Sequence, residues 1–222
     1  MKGILSSILM VLLAGSAMGQ RPEVGFVRIV NLVAGGEGNL NCSLDGQDLF
    51  APGYTLGQKT GGMGLKVGKY EVAFKKSGCN GAKKEIEIEN GKTQTLIAYG
   101  EAVRDDLGEI VGWNIKVGRL SQKTPEQGFL ITLVSFCEES ELDVTIVAEG
   151  TPDPIRERIP KMKAHSVKAG KPQGGVRVAV GKTPVAGFYT DDPGNYVVLI
   201  YSGADGAKEA IHYYDPRFLV AG

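Results

Sequence analysis

Residues 25–33 read GFVRIVNLV, and residues 129–137 read FLITLVSFC. Without their first residues, both run apolar, apolar, polar, apolar, apolar, polar, apolar, apolar. Phe26-Val27-Arg28-Ile29-Val30-Asn31-Leu32-Val33 lies over Leu130-Ile131-Thr132-Leu133-Val134-Ser135-Phe136-Cys137. A polar residue at every third position also suits a short helix. Length and composition decide for a strand. The phrase is short, rich in Val and Ile, preceded by Gly25 and, in the first copy, followed by Gly35-Gly36. A core strand written twice predicts a fold written twice.

Three further anchors keep the same order along the chain. Leu40-Asn41-Cys42-Ser43-Leu44 matches Leu142-Asp143-Val144-Thr145-Ile146, each alternating apolar with polar. Residues 68–74, GKYEVAF, match residues 174–180, GGVRVAV. GKTQTLIAYG at 91–100 matches GNYVVLIYSG at 194–203. Surface loops absorb the small drift in spacing. Strands are expected at 26–33, 39–45, 69–76, 83–89, 93–103 and 109–118. The second set is 130–136, 141–148, 175–180, 184–189, 195–202 and 208–214, with a longer connection after the second strand of each copy. Asp45-Gly46, Asp105 to Gly108 and Asp191-Asp192-Pro193-Gly194 supply turn chemistry.

The expected fold class is all-β: two tandem antiparallel β-sandwich domains related by internal duplication. The first covers residues 20–120 and the second 128–222, joined by the polar linker 121–127, SQKTPEQ. Residues 1–19 read as a signal peptide: Lys2, then the apolar run Ile4 to Leu13, then Ala17-Met18-Gly19 before the cleavage point. Leu12-Leu13-Ala14-Gly15 is followed by Ser16 rather than Cys, so no lipid anchor is expected. No later apolar run is long enough to span a bilayer. The expected location is therefore outside the cytoplasm: periplasmic, cell-surface or secreted, in a bacterium.

Charge excludes one class of partner. The chain carries 25 basic and 25 acidic side chains. No basic surplus argues for nucleic acid or for anionic lipid. Export permits disulfides, and Cys42 with Cys79 is the candidate pair because both fall in the first half, the other reading being three small buried thiols, which suits Cys42 between Leu40 and Leu44. An odd cysteine count leaves one thiol over, and Cys137 takes the place of Val33 in the repeated phrase, an apolar core position.

The first copy resembles a family of secreted bacterial domains of unknown function. The resemblance rests on Val27-Arg28-Ile29-Val30-Asn31, on Leu40 to Gly46, on Leu65 to Val72 and on Gly91-Lys92 to Ala98. Leu65 to Leu96 is also similar to the PEGA domain, an envelope β-module with a G-x-Y-x-V hairpin. The second copy fits less well, with Gly175 and Val176 where the first has Lys69 and Tyr70. The resemblance implies an immunoglobulin-like or transthyretin-like sandwich of the cell envelope, and it carries no catalytic residues with it.

Chemistry is sparse. The two histidines are His165 and His212, and no G-x-S-x-G elbow is present. Gly91-Lys92-Thr93 and Gly181-Lys182-Thr183 imitate the end of a phosphate loop, but Ile86 and Val176 stand where its first glycine belongs. Glu138-Glu139 is an acidic pair, while Glu85, Glu87 and Glu89 alternate with Ile86 and Ile88 and so belong to a solvated strand face. No metal or other cofactor and no enzymatic activity is expected. The aromatics Tyr213, Tyr214 and Trp113 are the candidate ligand-stacking residues. The expected function is a non-catalytic structural or protein-interaction role in the envelope. The alternative is a carbohydrate-binding module for envelope or environmental polysaccharide.

Overall fold

A computed structural model describes residues 23–123 and 128–215. The expected signal peptide and residues 124–127 of the expected linker lie outside the described residues. The described residues form strands and no helix. The first half holds β1 (Val24–Leu32), β2 (Glu37–Leu44), β3 (Gln47–Asp48), β4 (Met63–Lys66) and β5 (Gly68–Ser77). It continues with β6 (Cys79–Asn80), β7 (Ala82–Ile88), β8 (Thr93–Arg104) and β9 (Ile110–Ser121). The second half holds β10 (Phe129–Ser135), β11 (Glu141–Ala148), β12 (Ile155–Pro160) and β13 (His165–Lys168). It ends with β14 (Gly174–Val180), β15 (Thr183–Thr190), β16 (Gly194–Ser202) and β17 (Lys208–Asp215).

The two halves share one strand order. In the first, sheet β4-β1-β8-β9-β6 faces sheet β3-β2-β5-β7. In the second, β13-β10-β16-β17 faces β12-β11-β14-β15. Apart from the two-residue β6, every strand of one half has a counterpart in the other. The sheets are not purely antiparallel as the sequence suggests. β1 pairs parallel with β8, and β10 pairs parallel with β16. A parallel pair cannot be closed by a hairpin. Here the connection between the two members carries the whole facing sheet together with the edge strand that pairs with the first member, β4 or β13. The Asp45-Gly46 turn between β2 and β3 has both residues at positive φ, 47° and 79°, which suits a two-residue hairpin.

The repeated phrase occupies equivalent positions in the two halves. Val27, Ile29 and Val33 enter the core of the first sandwich, with Leu40, Cys42, Val72, Phe74, Leu96 and Ile86. Ile131, Leu133 and Cys137 enter the core of the second, with Leu142, Val144, Ile146, Val178 and Val198. The intervening residues Val30 and Leu32, and their counterparts Val134 and Phe136, point the other way, into a third core between the two sandwiches. That core also takes Ile97, Val197, Leu199, Tyr201 and Tyr213. A strand buried on both faces reads as a nearly continuous apolar run, which is what the phrase is.

Its polar residues are divided between the faces. Asn31 turns inward in the first sandwich, where its Nδ2 donates to Tyr54 O at 2.9 Å and its Oδ1 accepts from Val33 N at 2.8 Å. Ser135 makes the same local contact, its Oγ accepting from Cys137 N at 3.3 Å. Thr132 faces outward and its Oγ1 donates to Asn195 Oδ1 at 2.7 Å. Arg28 faces outward into the joint. Asn31, Ser135 and Thr132 are thus each matched with a partner, which removes most of their desolvation cost.

The candidate Cys42–Cys79 disulfide is not formed: all three cysteines are free thiols. Cys42 is buried between the sheets, beside Phe74 of β5. Cys79 lies on β6 opposite Trp113, and its thiol contacts Gly35 O at 3.4 Å. They sit in different sheets, with side chains turned to different neighbours. Burial pushes the Cys42 thiol up to about 12.

Candidate functional site

Alternation along β17 puts neighbouring residues on opposite faces. Tyr213 falls on the face turned to the first sandwich and is 5% exposed. The Arg28 guanidinium carbon lies 4.2 Å from the centre of its ring. The Tyr213 hydroxyl donates to Thr95 Oγ1 at 3.3 Å. Arg28 Nη1 donates to the same Thr95 oxygen at 3.3 Å and to Asp215 Oδ1 at 3.1 Å. Arg28 and Asp215 have side-chain exposures of 4% and 5%. Burial raises the Asp215 carboxyl above the usual range, and the hydrogen bond from Arg28 opposes that rise. Burial also pushes the Tyr213 phenol up to about 12. This buried cluster locks one sandwich to the other.

Tyr213 is therefore not a ligand-stacking residue, because the first sandwich covers it. Tyr214 turns to the second sandwich. Its ring lies 5.1 Å from that of Tyr196, and its hydroxyl donates to Pro193 O at 3.0 Å. Trp113 is the one candidate of the three that lies in an open cleft.

The cleft lies where the two sandwiches diverge and has a volume of about 740 Å³. Its apolar wall is Leu32, Trp113, Phe136 and Tyr201. Tyr99 supports Phe136 from behind, ring centres 5.2 Å apart. Two glycines make room for the indole. A Cβ at Gly35 would stand 2.2 Å from Trp113 Cδ2, and one at Gly100 would stand 3.3 Å from Cε3. The rim is charged. Arg104 Nη2 donates to Glu138 Oε2 at 2.9 Å, bridging β8 of the first sandwich to the segment after β10 of the second. Lys208 pairs with Glu139 at 2.7 Å. The hydrogen bond from Lys208 holds the Glu139 carboxyl below its usual range. Each member of the acidic pair at 138–139 thus has its own cation.

Beside the cleft stands the tip of the β8–β9 hairpin. Arg104 Nη1 donates to Gly108 O at 2.9 Å, and Asp105 Oδ1 accepts from Leu107 N and Glu109 N at 3.0 and 2.9 Å. This frame holds out Leu107, Ile110 and Val111, exposed by 87%, 46% and 63%. Three large apolar side chains are thus held in water at a braced tip. In the sequence Phe136 belongs to the repeated core phrase and Asp105 to Gly108 to a turn, and nothing local marks them, Tyr201 or Arg104 as parts of a cleft. Leu107, between Asp106 and Gly108, was the visible signal: a large apolar residue inside a turn.

Among the described residues no group of three or more His, Cys, Asp or Glu could hold a metal ion. No helix of the described residues is long and apolar enough to cross a membrane.

No family model and no curated protein matches the chain. Among solved structures it is similar to the Bacillus anthracis TIE protein, at 12% identity and a TM-score of 0.26, covering 82% of this chain and 51% of that one. It is also similar to the pilus adhesin SpaC from Lactobacillus rhamnosus GG in its open conformation, at 9% identity and a TM-score of 0.21, covering 86% of this chain and 28% of that one. The chain thus spans about half the length of the first and less than a third of the second.

Proposed function

We propose that this chain is an exported, non-catalytic interaction protein of the bacterial envelope or extracellular space. In this reading the two sandwiches act as one rigid body, and the cleft at their joint with the β8–β9 tip is the binding surface. The observation that carries it is the exposed apolar trio Leu107, Ile110 and Val111, braced beside the cleft by Arg104. Export is supported by the signal-like residues 1–19. The shared strand order supports descent of both halves from one duplicated unit. It also supports the transthyretin-like form of the resemblance. The constant-type immunoglobulin order sets its first and second strands side by side, whereas β1 and β2 lie in opposite sheets.

The alternative reading, carbohydrate binding, is favoured at the same cleft by Trp113, whose indole borders a space rimmed by carboxylates and cations. One experiment separates the two. A photo-crosslinking residue is placed at Leu107 or Trp113 and, as a control, at Glu85. Discrete protein adducts in the producing bacterium from 107 and 113, but not from 85, support protein interaction. A glycan array that lights up and is silenced by Trp113→Ala supports the alternative. Absence of both results overturns the assignment of the cleft.

A further inference from the structure

The two sandwiches differ most in what they show to water on their outer sheets. In the first, β5 and β7 pair Lys69 with Glu87 and Glu71 with Glu85. Ion pairs lace this face, Lys69 to Glu85 at 3.3 Å and Lys83 to Glu71 at 2.8 Å. It is an ordinary solvated surface. The same cross-strand positions of the second sandwich, on β14 and β15, pair Gly175 with Tyr189 and Arg177 with Gly187. Every charge but one has been replaced, by two glycines and a tyrosine.

The consequence is a cleared platform. Tyr189 is 67% exposed, the most exposed aromatic ring among the described residues. A glycine stands directly across from it and another across from Arg177, so neither has a cross-strand side chain on that side, while Val147 and Glu149 border them on the other. The shallow trough between Val147, Arg177, Gly187 and Tyr189 has a volume of about 430 Å³. Thr145, Ala179 and Pro184 keep the neighbouring row low, since Thr145 pairs with Ala179 and Ala179 with Pro184. Glycine weakens a strand, because it gives up more chain entropy and packs no side chain. Two of them beside one exposed ring mark a place where something else approaches the sheet.

Charge says what that is. Glu149 at the edge of the trough is neutralised by Lys171 at 3.2 Å, and Arg158 by Asp143 at 3.2 Å. Arg177 within the trough and Arg156, opposite Thr145 on the same face, form no ion pair among the described residues. The face therefore offers one free guanidinium, Arg177, beside the open ring of Tyr189, and a second, Arg156, farther across the same face on β12. Guanidinium binds carboxylate in a forked geometry, and the C–H face of a pyranose chair packs on an exposed aromatic ring. We infer that the outer sheet of the second sandwich binds an acidic polysaccharide, with one pyranose ring on Tyr189, a carboxylate beside it on Arg177 and a carboxylate of a sugar farther along the chain on Arg156. The site lies on a different sheet from the cleft and does not depend on it.

Affinity electrophoresis of the purified protein in gels containing polygalacturonate, alginate or neutral dextran tests this. Retardation is expected in the two acidic gels and not in dextran. Tyr189→Ala and Arg177→Gln should each weaken it about five- to tenfold, the size of one lost stacking or charged contact. Tyr189→Phe should retain it, and Gly187→Val should block it. Glu87→Ala in the first sandwich should leave it unchanged, and a loss in Tyr189→Ala, on a different sheet from the cleft, separates this site from the cleft. All these positions are exposed or half-buried, and an unchanged melting temperature verifies folding. No retardation in either acidic gel, equal retardation in dextran, or retardation untouched by Tyr189→Ala and Arg177→Gln would overturn the inference.

Discussion

Arg28→Met puts a number on the joint. The wild-type pair is buried on both sides, at 4% and 5% exposure, with the Arg28–Asp215 contact at 3.1 Å. Removing the arginine leaves Asp215 as a buried carboxylate without its cation. Breaking a buried pair from one side costs about 3–5 kcal/mol, because the remaining charge stays desolvated. The lost stacking on Tyr213 adds about 1 kcal/mol. Asp215→Leu should cost a similar amount by stranding Arg28. The double variant Arg28→Met with Asp215→Leu should recover most of the loss, since a well-packed apolar pair replaces both charges.

The pH dependence has a definite sign. The folded Asp215 carboxyl is raised above its ordinary range by burial. The folded state therefore holds this proton where the unfolded chain has released it. The group contributes stability at low pH and loses it as pH rises through the raised value. Without Arg28 the carboxyl rises further, so the cost of Arg28→Met should be largest at pH 7 and shrink in acid. Urea unfolding followed by Trp113 fluorescence across pH 4–7 reads both effects. An Arg28→Met cost under about 1 kcal/mol, with no recovery in the double variant, would refute the reasoning.

Three further outcomes follow from the same packing. Leu199→Ala, in the core between the sandwiches, should lower stability by about 2–5 kcal/mol in the same urea titration, the usual range for an emptied leucine site. Cys42 and Cys137 are buried, and burial raises both thiols, so neither should react with a thiol reagent until the protein is unfolded. His212 stacks on Phe188 with ring centres 4.8 Å apart, and burial lowers its pKa. Its contribution is full above the ordinary imidazole range and lost as pH falls through the lowered value. His212→Phe should flatten that part of the stability curve.

The main strands were legible because their core-facing residues are local signals. Leu40, Cys42 and Leu44 alternate in plain view, and so do Leu142, Val144 and Ile146. The short strands β3, β4, β12 and β13 were read as part of the longer connections. MGLK and HSVK carry no pattern of their own, and only pairing with β1 and β10 makes them strands. The parallel pairing was equally hidden, since nothing in VRIVN tells its direction from its neighbour's. Tyr213 was misplaced because alternation separates the faces of β17 without saying that another sandwich covers one of them. Arg28 was a signal passed over: a charge inside an apolar run asks for a buried partner, yet Asp215 lies at the far end of the chain. Tyr189 was visible as an aromatic. Its glycine neighbours came into view only with the strand register.

The claim on which the cleft rests is that the two sandwiches form one rigid body. Spin labels on the outer sheets, at Glu85 and Arg158 in a Cys79→Ser background, measure this directly by the distance between them. A locked joint predicts a single narrow distance distribution, unchanged between low and moderate salt because the Arg28–Asp215 cluster is buried. A broad or multiple distribution in the wild-type protein would mean that the sandwiches move independently, and the account of the joint and its cleft would be wrong.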